Sequence, residues 1–266
     1  MKNDKDEAFH DKQDIANAFN EYFTRNDHND SHTNSDSFSR FLSTNDAPNF
    51  VFHEISETCL QEIVKELRSK HSSGCDDISS HLLKRCFDSI KNPLTYLINK
   101  SLITGVFPDK LKIAKVTPIY KKNEPELFEN YQPISLLPTF SKLFEKVVFN
   151  QITTFMSGND LLFNSQHGFR KKNSTETAAI EFVEHLKSEL SNKHTPVSIF
   201  LDLSCAFDNV DHDILLKKLN HYGIRGVSLD WFKSYLNARK KYTVFDGIKS
   251  NTLPIINTFQ SFVLRR

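Results

Sequence analysis

The chain has 266 residues, 38% of them hydrophobic, which is enough apolar material for one substantial core or two modest ones. Its 23 Phe stand against a single Trp, and 7 Gly are too few for collagen, glycine-rich linkers or solenoid turns. A formal net charge of +1 leaves a nucleic-acid partner open, because a basic channel can be balanced by acids elsewhere.

Cys59, Cys75, Cys86 and Cys205 have no C-x-x-C spacing and no neighbouring histidine pair, and the first residues lack an apolar signal core, which speaks against zinc and against secretion. No apolar stretch approaches the roughly 20 residues that span a bilayer, so the expectation is an intracellular chain with reduced thiols and no membrane partner.

Ile15, Ala18, Phe19, Tyr22 and Phe23 form one helical stripe within 1–25, a short helix. A polar tract follows from Asn26 and reads as a flexible linker over 26–50. The region 51–109 is helical: Ser56 caps a stripe of Leu60, Ile63, Val64 and Leu67, and two further helices are predicted over Ser79–Ile90 and Pro93–Ile103. The alternation from Ile113 to Ile119 predicts a strand ending at the basic pair Lys121-Lys122. A long amphipathic helix carries Leu143, Phe144, Val147, Val148, Ile152 and Phe155, and another runs from about Ser174 to Leu190 with Ala178, Ala179, Phe182, Val183, Leu186 and Leu190 inward. The apolar run from Pro196 to Leu203 reads as a buried strand. Helices over Val210–Tyr222 and Leu229–Leu236 and a strand over Lys241–Phe245 complete the reading.

Asp202 lies at the end of the Pro196–Leu203 run. A carboxylate there is held by a rigid element and presents hard oxygens suited to Mg²⁺; the alternative is a turn cap, with Asp208 and Asp211 favouring the next helix's N-terminus.

The wider pattern separates these readings. Asp202 with Ala206-Phe207-Asp208 is similar to the first catalytic motif of reverse transcriptases. Upstream, Val116-Thr117-Pro118-Ile119-Tyr120-Lys121-Lys122 and Asn130-Tyr131-Gln132-Pro133-Ile134-Ser135 resemble the finger motif of LINE-type enzymes, and Gln166-His167-Gly168-Phe169-Arg170 with Ser174-Thr175-Glu176 resembles the next. These motifs occur in the family's order, and the likeness reaches back through Ser72–Ile78 and Gly105–Pro108. The sequence therefore resembles the N-terminal part of the reverse transcriptase of a non-LTR, LINE-type (jockey, CR1 or RTE-like) retrotransposon.

The resemblance implies an α+β fold: an incomplete right-hand polymerase, with fingers and the first part of the palm over 110–258, behind a helical N-terminal lead-in. It implies an RNA-directed DNA polymerase (nucleotidyltransferase) lineage with Mg²⁺, deoxynucleoside triphosphates, an RNA template and a DNA primer. Asp202 becomes the catalytic metal ligand, and Phe207 the bulky gate that excludes a 2′-hydroxyl, where the alternative is a core aromatic. Lys121 or Lys122 neutralises the triphosphate, where the alternative is a solvated pair at a strand end. Arg170 contacts template or nucleotide phosphates, where the alternative is a surface arginine beside Lys171 and Lys172.

Two departures stand out. The family's Tyr-Arg-Pro-Ile-Ser pattern carries an arginine where this chain has Gln132, which donates hydrogen bonds without charge and so lowers triphosphate affinity. The family continues with a Gly-Val-Pro-Gln-Gly segment and a Tyr-x-Asp-Asp turn, whereas here an aberrant tail fills 259–266. Two-metal catalysis needs carboxylates holding cations about 4 Å apart, so the chain alone is expected to be inactive, its Ile199 strand unpaired and its apolar surface exposed. The remaining alternatives are a noncatalytic RNA or primer-template-binding piece, alone or assembled with a complete polymerase chain, and a decayed retroelement product.

Overall fold

The structure is a computed structural model that describes residues 1–3, 7–24, 48–203 and 210–255. Residues 26–47 of the linker expected over 26–50, Phe207 and the tail over 259–266 lie outside these residues.

Helix α1 (Lys12–Tyr22) starts where Asp11 accepts hydrogen bonds from the amides of Gln13 and Asp14, and it buries Ile15, Ala18 and Phe19. Helix α2 (Glu57–Glu66) is capped by Ser56, whose Oγ accepts from Cys59 N. Helix α3 (Ser80–Thr104) is one element where two were expected. Pro93 removes one intrahelical bond and crowds the preceding turn, at a cost of about 3 kcal/mol. Leu83, Phe87, Leu94, Ile98 and Leu102 nevertheless stay on one buried face across it, so continuing the helix buries both halves of the stripe. Gly105 ends the helix at φ +68°, where a Cβ would come within 2.8 Å of Val227 O.

Strand β1 (Ile113–Tyr120) is as expected, and it pairs antiparallel with β2 (Tyr131–Leu136), which the sequence reading did not assign. On the other side of β1 lies β3 (Lys240–Phe245), parallel, from Ile113 opposite Lys240 to Val116 opposite Thr243. Two short strands, β4 (Ile248–Lys249) and β5 (Leu253–Pro254), pair antiparallel with β3. Helix α4 (Thr139–Gly158) follows β2; α5 (Thr175–Ser191), α6 (His212–His221) and α7 (Gly226–Leu236) precede β3. The fold is mixed α/β, with one sheet and seven α-helices among the described residues.

The main core lies where α2, α3, α4 and α7 meet. Trp231 stacks on Tyr235 with ring centroids 5.3 Å apart, and Phe107 meets both edge-on at 5.4 and 5.0 Å. The buried indole of Trp231 donates to Ser101 Oγ at 3.0 Å, which satisfies its one polar atom. A second, aromatic core joins Phe19 of α1 to Phe128, with Tyr131 and Phe245 packed against it.

Two expectations are corrected. Residues 195–203 form no strand, although the exposed apolar surface expected around Ile199 is present: Val197, Ile199, Phe200, Leu201 and Leu203 are 76–88% exposed. An apolar run holds a strand conformation when a neighbouring strand takes up its N–H and C=O groups, and none of the described strands lies beside it. Helix α5 forms as expected and starts with a capping box at Ser174 and Thr177, but it buries no residue; Phe182, Val183 and Leu190 are exposed.

A carboxyl group sits inside the main core. Glu145 of α4 is buried, and its Oε1 accepts from Ser141 Oγ and from Tyr235 OH, both at 3.0 Å. Arg239 lies over the Tyr235 ring, 4.7 Å from its centroid, and donates to Tyr235 O at 3.0 Å. Burial pushes the Glu145 carboxyl from 4.5 up to about 7, against the pull of Arg239, Ser141, Tyr235 and Lys142. The folded protein therefore binds this proton more tightly than the unfolded chain. Its contribution is fully present below pH 4.5 and is lost as pH rises to about 7, a change of about 3 kcal/mol. Glu145→Gln removes this pH dependence, so in urea titrations the stability of the variant relative to wild type is expected to rise between pH 5 and 7.5. A difference that stays constant with pH contradicts the assignment.

Candidate nucleic-acid and nucleotide interface

Pro118 and Pro133 face each other across β1 and β2. Neither has an N–H, so this rung must be one whose N–H positions point away from the partner strand. On that outer side β3 pairs with β1 only as far as Val116, and β2 is an edge strand, so neither proline forfeits a ladder bond. The next rungs alternate accordingly: Ile119 opposite Gln132, Tyr120 opposite Tyr131, then Lys121 N donating to Asn130 O at 2.9 Å.

The loop between the strands is tied from within. Tyr120 OH donates to Asn123 O, Tyr131 OH to Pro125 O at 2.8 Å, and Asn130 Nδ2 to Glu124 O at 2.9 Å. Asn123 adopts φ +70°, the left-handed conformation asparagine tolerates better than most residues. Phe128 is fully buried and anchors the loop beneath. Lys121 and Lys122 are left exposed at the strand end, and neither is ion-paired among the described residues. Lys121, Lys122 and half-buried Gln132 thus lie together at one end of a braced hairpin.

Arg170 is placed differently. It sits in the loop between α4 and α5, half-buried, and its Nη1 donates to Phe163 O at 2.9 Å and to Asn164 O at 3.5 Å. One edge of the guanidinium therefore holds the loop together. The neighbouring His167, to which the motif gives no role of its own, is a second brace. Its two ring nitrogens meet Thr177 Oγ1 at 2.9 Å and Glu181 Oε2 at 2.7 Å, pinning the loop to α5. The hydrogen bond from His167 holds the Glu181 carboxyl below its usual value. The readable signal was the i, i+4 spacing of Thr177 and Glu181 on α5.

Asp202 is exposed in the run 195–203, which belongs to no helix or strand and whose Phe200 meets Phe182 of α5 edge-on at 5.6 Å. Neither Arg170 nor Asp202 makes a hydrogen bond or ion pair to the hairpin among the described residues. No group of three or more His, Cys, Asp or Glu side chains among those residues is placed to hold a metal ion. Among the described residues, Asp202 stands as a single exposed carboxylate, whereas a two-cation site takes several. No helix among the described residues is long and apolar enough to cross a membrane.

The pattern of the family described as reverse transcriptase (RNA-dependent DNA polymerase) matches residues 119–258, just over half of the chain and including every candidate position above. A probable RNA-directed DNA polymerase from transposon BS of Drosophila melanogaster is 32% identical over 186 residues, which is 67% of this chain and 20% of that protein. The RNA-directed DNA polymerase from the mobile element jockey of the same species is 29% identical over 205 residues, 76% of this chain and 22% of that protein. A 115 kDa protein of the type-1 retrotransposable element R1DM is 28% identical over 188 residues. The chain belongs to the reverse transcriptase family, in its non-LTR, LINE-type branch. It spans about a fifth of the length of these relatives. Members of this family use a divalent metal ion.

The exposure around Asp202 has a direct test. Val197→Ser with Leu201→Ser is expected to change unfolding free energy by no more than about 0.5 kcal/mol, as for surface sites, while lowering binding of a fluorescent apolar dye and raising solubility. A loss above about 2 kcal/mol, the scale of core truncations, contradicts the exposed placement.

Proposed function

We propose that this chain supplies the substrate-gripping part of a retrotransposon RNA-directed DNA polymerase, with fingers and the first part of the palm over 110–258. The observation that carries the reading is the braced hairpin, which presents Lys121 and Lys122 unpaired to solvent beside Gln132. A side chain held ready on a rigid element contributes more to binding a polyanion than the same charge on a loose loop, because less ordering entropy is lost.

In this reading Lys121 and Lys122 receive phosphates of a deoxynucleoside triphosphate or of the RNA template and DNA primer. Gln132 adds a neutral donor where the family pattern has a cation. Arg170, with one edge of its fork already engaged, offers the other edge to a phosphate. Asp202 would offer one oxygen ligand to Mg²⁺, whose charge would offset that of the bound phosphates. Phe207, outside the described residues, keeps the role of sugar gate that its motif suggests. In this reading the chain binds without turnover by itself and associates with a complete polymerase chain, for which the exposed apolar surface of 197–203 is available. Such a chain works inside the cell, where element RNA and chromosomal DNA are found.

Fluorescence anisotropy with a labelled RNA–DNA primer-template is expected to show binding that weakens steeply between about 50 and 200 mM salt. Replacing both Lys121 and Lys122 by Ala is expected to reduce the salt slope by about two, one per phosphate contact. With Mg²⁺ and all four deoxynucleotides the chain is expected to leave the primer unextended. Binding indifferent to salt and to the two lysines contradicts the gripping role, and extension that Asp202→Asn abolishes contradicts the absence of turnover.

A further inference from the structure

Helix α1 lies outside the residues that match the family, roughly a hundred positions ahead of the hairpin, yet it is built against both the sheet and the hairpin loop. One of its faces is polar and reads backbone. Gln13 Nε2 donates to Lys249 O at 3.0 Å, Asn17 Oδ1 accepts from Asn251 N at 2.9 Å, and Asn20 Nδ2 donates to Asn251 O at 2.8 Å. Asn20 is buried and also accepts from Thr243 Oγ1 of β3 at 3.2 Å. These positions follow i, i+4, i+7, so a single stripe of amides fastens α1 to β3, to β4 and to the residues just after β4. At the other end Lys241, fully buried on β3, donates its ammonium to Phe23 O at 2.5 Å and so satisfies a carbonyl at the C-terminus of α1.

The second face of α1 is aromatic and meets the hairpin. Phe19 stacks on Phe128 with centroids 4.1 Å apart and meets Tyr131 edge-on at 5.1 Å. Ahead of the helix, Lys2 runs parallel beside Leu127: its N–H donates to Glu126 O at 2.7 Å, and its carbonyl accepts from Phe128 N at 3.1 Å. The hairpin loop is therefore held from its own interior by Tyr120, Asn130 and Tyr131, and from outside by residue 2 and Phe19. Phe19 and Phe128 belong to an aromatic cluster separate from the helical core.

We infer that α1 is a positioning element for the hairpin, with Phe19 fixing the loop through Phe128 and Tyr131 so that Lys121 and Lys122 are held in a binding-ready arrangement. The inference rests on the gripping role given to those lysines above. Phe19 touches no substrate; it acts through the loop. Because its amide stripe anchors α1 to β3, the same helix couples the placement of the basic pair to the sheet.

The test compares the full chain with Phe19→Ala and the milder Phe19→Leu, which retains an apolar side chain over Phe128. In hydrogen exchange, amides of 121–131 are expected to exchange faster in Phe19→Ala while those of Leu94–Leu102 in α3 are unchanged, since the two clusters are separate. Primer-template affinity is expected to fall roughly fivefold in Phe19→Ala and to recover most of that in Phe19→Leu. In a Lys121→Ala, Lys122→Ala background, Phe19→Ala is expected to cause no further loss, because the helix acts only through those lysines. An equal loss in that background overturns the inference, as does faster exchange throughout α3, which would mark Phe19 as general core. If wild type shows no salt-dependent binding, the gripping role fails; the exchange comparison then decides the bracing by itself, and unchanged exchange of 121–131 overturns it.

Discussion

The parallel pairing of β1 with β3 is the constraint on which the remaining architecture rests. It joins 113–116 to 240–243, so the chain between must leave the sheet, build four helices and return in the same direction. Because β3 stops pairing with β1 at Val116, Pro118 owes no donor on that side, so the hairpin that β1 forms with β2 along its other edge can set two prolines opposite each other, and the basic pair follows directly from it. Because β3 carries Lys241 and Thr243 into the interior, α1 has both a charged cap for its last carbonyls and a hydroxyl for Asn20. Near the point where α7 hands over to β3, Arg239, Tyr235 and Glu145 join that connection to α4. A pH-sensitive carboxyl thus sits at the junction between the helical core and the sheet.

Elements whose burial follows their own local pattern were legible in the sequence. The stripes of α1, α2 and α4 and the alternation of β1 appear as expected, and α6, α7 and β3 form with bounds close to those expected. Helix α3 was divided because proline is a local breaker, whereas the decision lay in whether one continuous face could be buried on both sides of it. Strand β2 went unassigned because Pro133 disguises it; only its pairing with Pro118 makes the proline harmless. The run 197–203 shows the converse. Its composition is that of a buried strand, but strand formation depends on a neighbour's hydrogen bonds, and composition carries no information about the neighbour.

The candidate site divides in the same way. The motif order identified the family, and the adjacency of Lys121, Lys122 and Gln132 follows from the hairpin register, which a sequence reading can anticipate once β2 is recognised. Arg170 was legible as a cation but not as a loop brace, since its carbonyl partners are fixed only by the fold. Phe19 was legible as part of a helical stripe and His167 as part of a motif, but not what each touches, and Glu145 carried no label beyond its type. Ser141 and Glu145, four residues apart on an otherwise apolar helical face, were the nearest thing to a warning that a charge would be buried.

The most direct measurement is a hydrogen-exchange footprint of the chain with and without an RNA–DNA primer-template at low salt. The structure predicts added protection in 119–132, centred on the hairpin that carries Lys121, Lys122 and Gln132, with the amides of α2 and α3 unaltered. Protection confined to other elements, with 119–132 exchanging as in the free chain, would contradict the hairpin as the gripping surface.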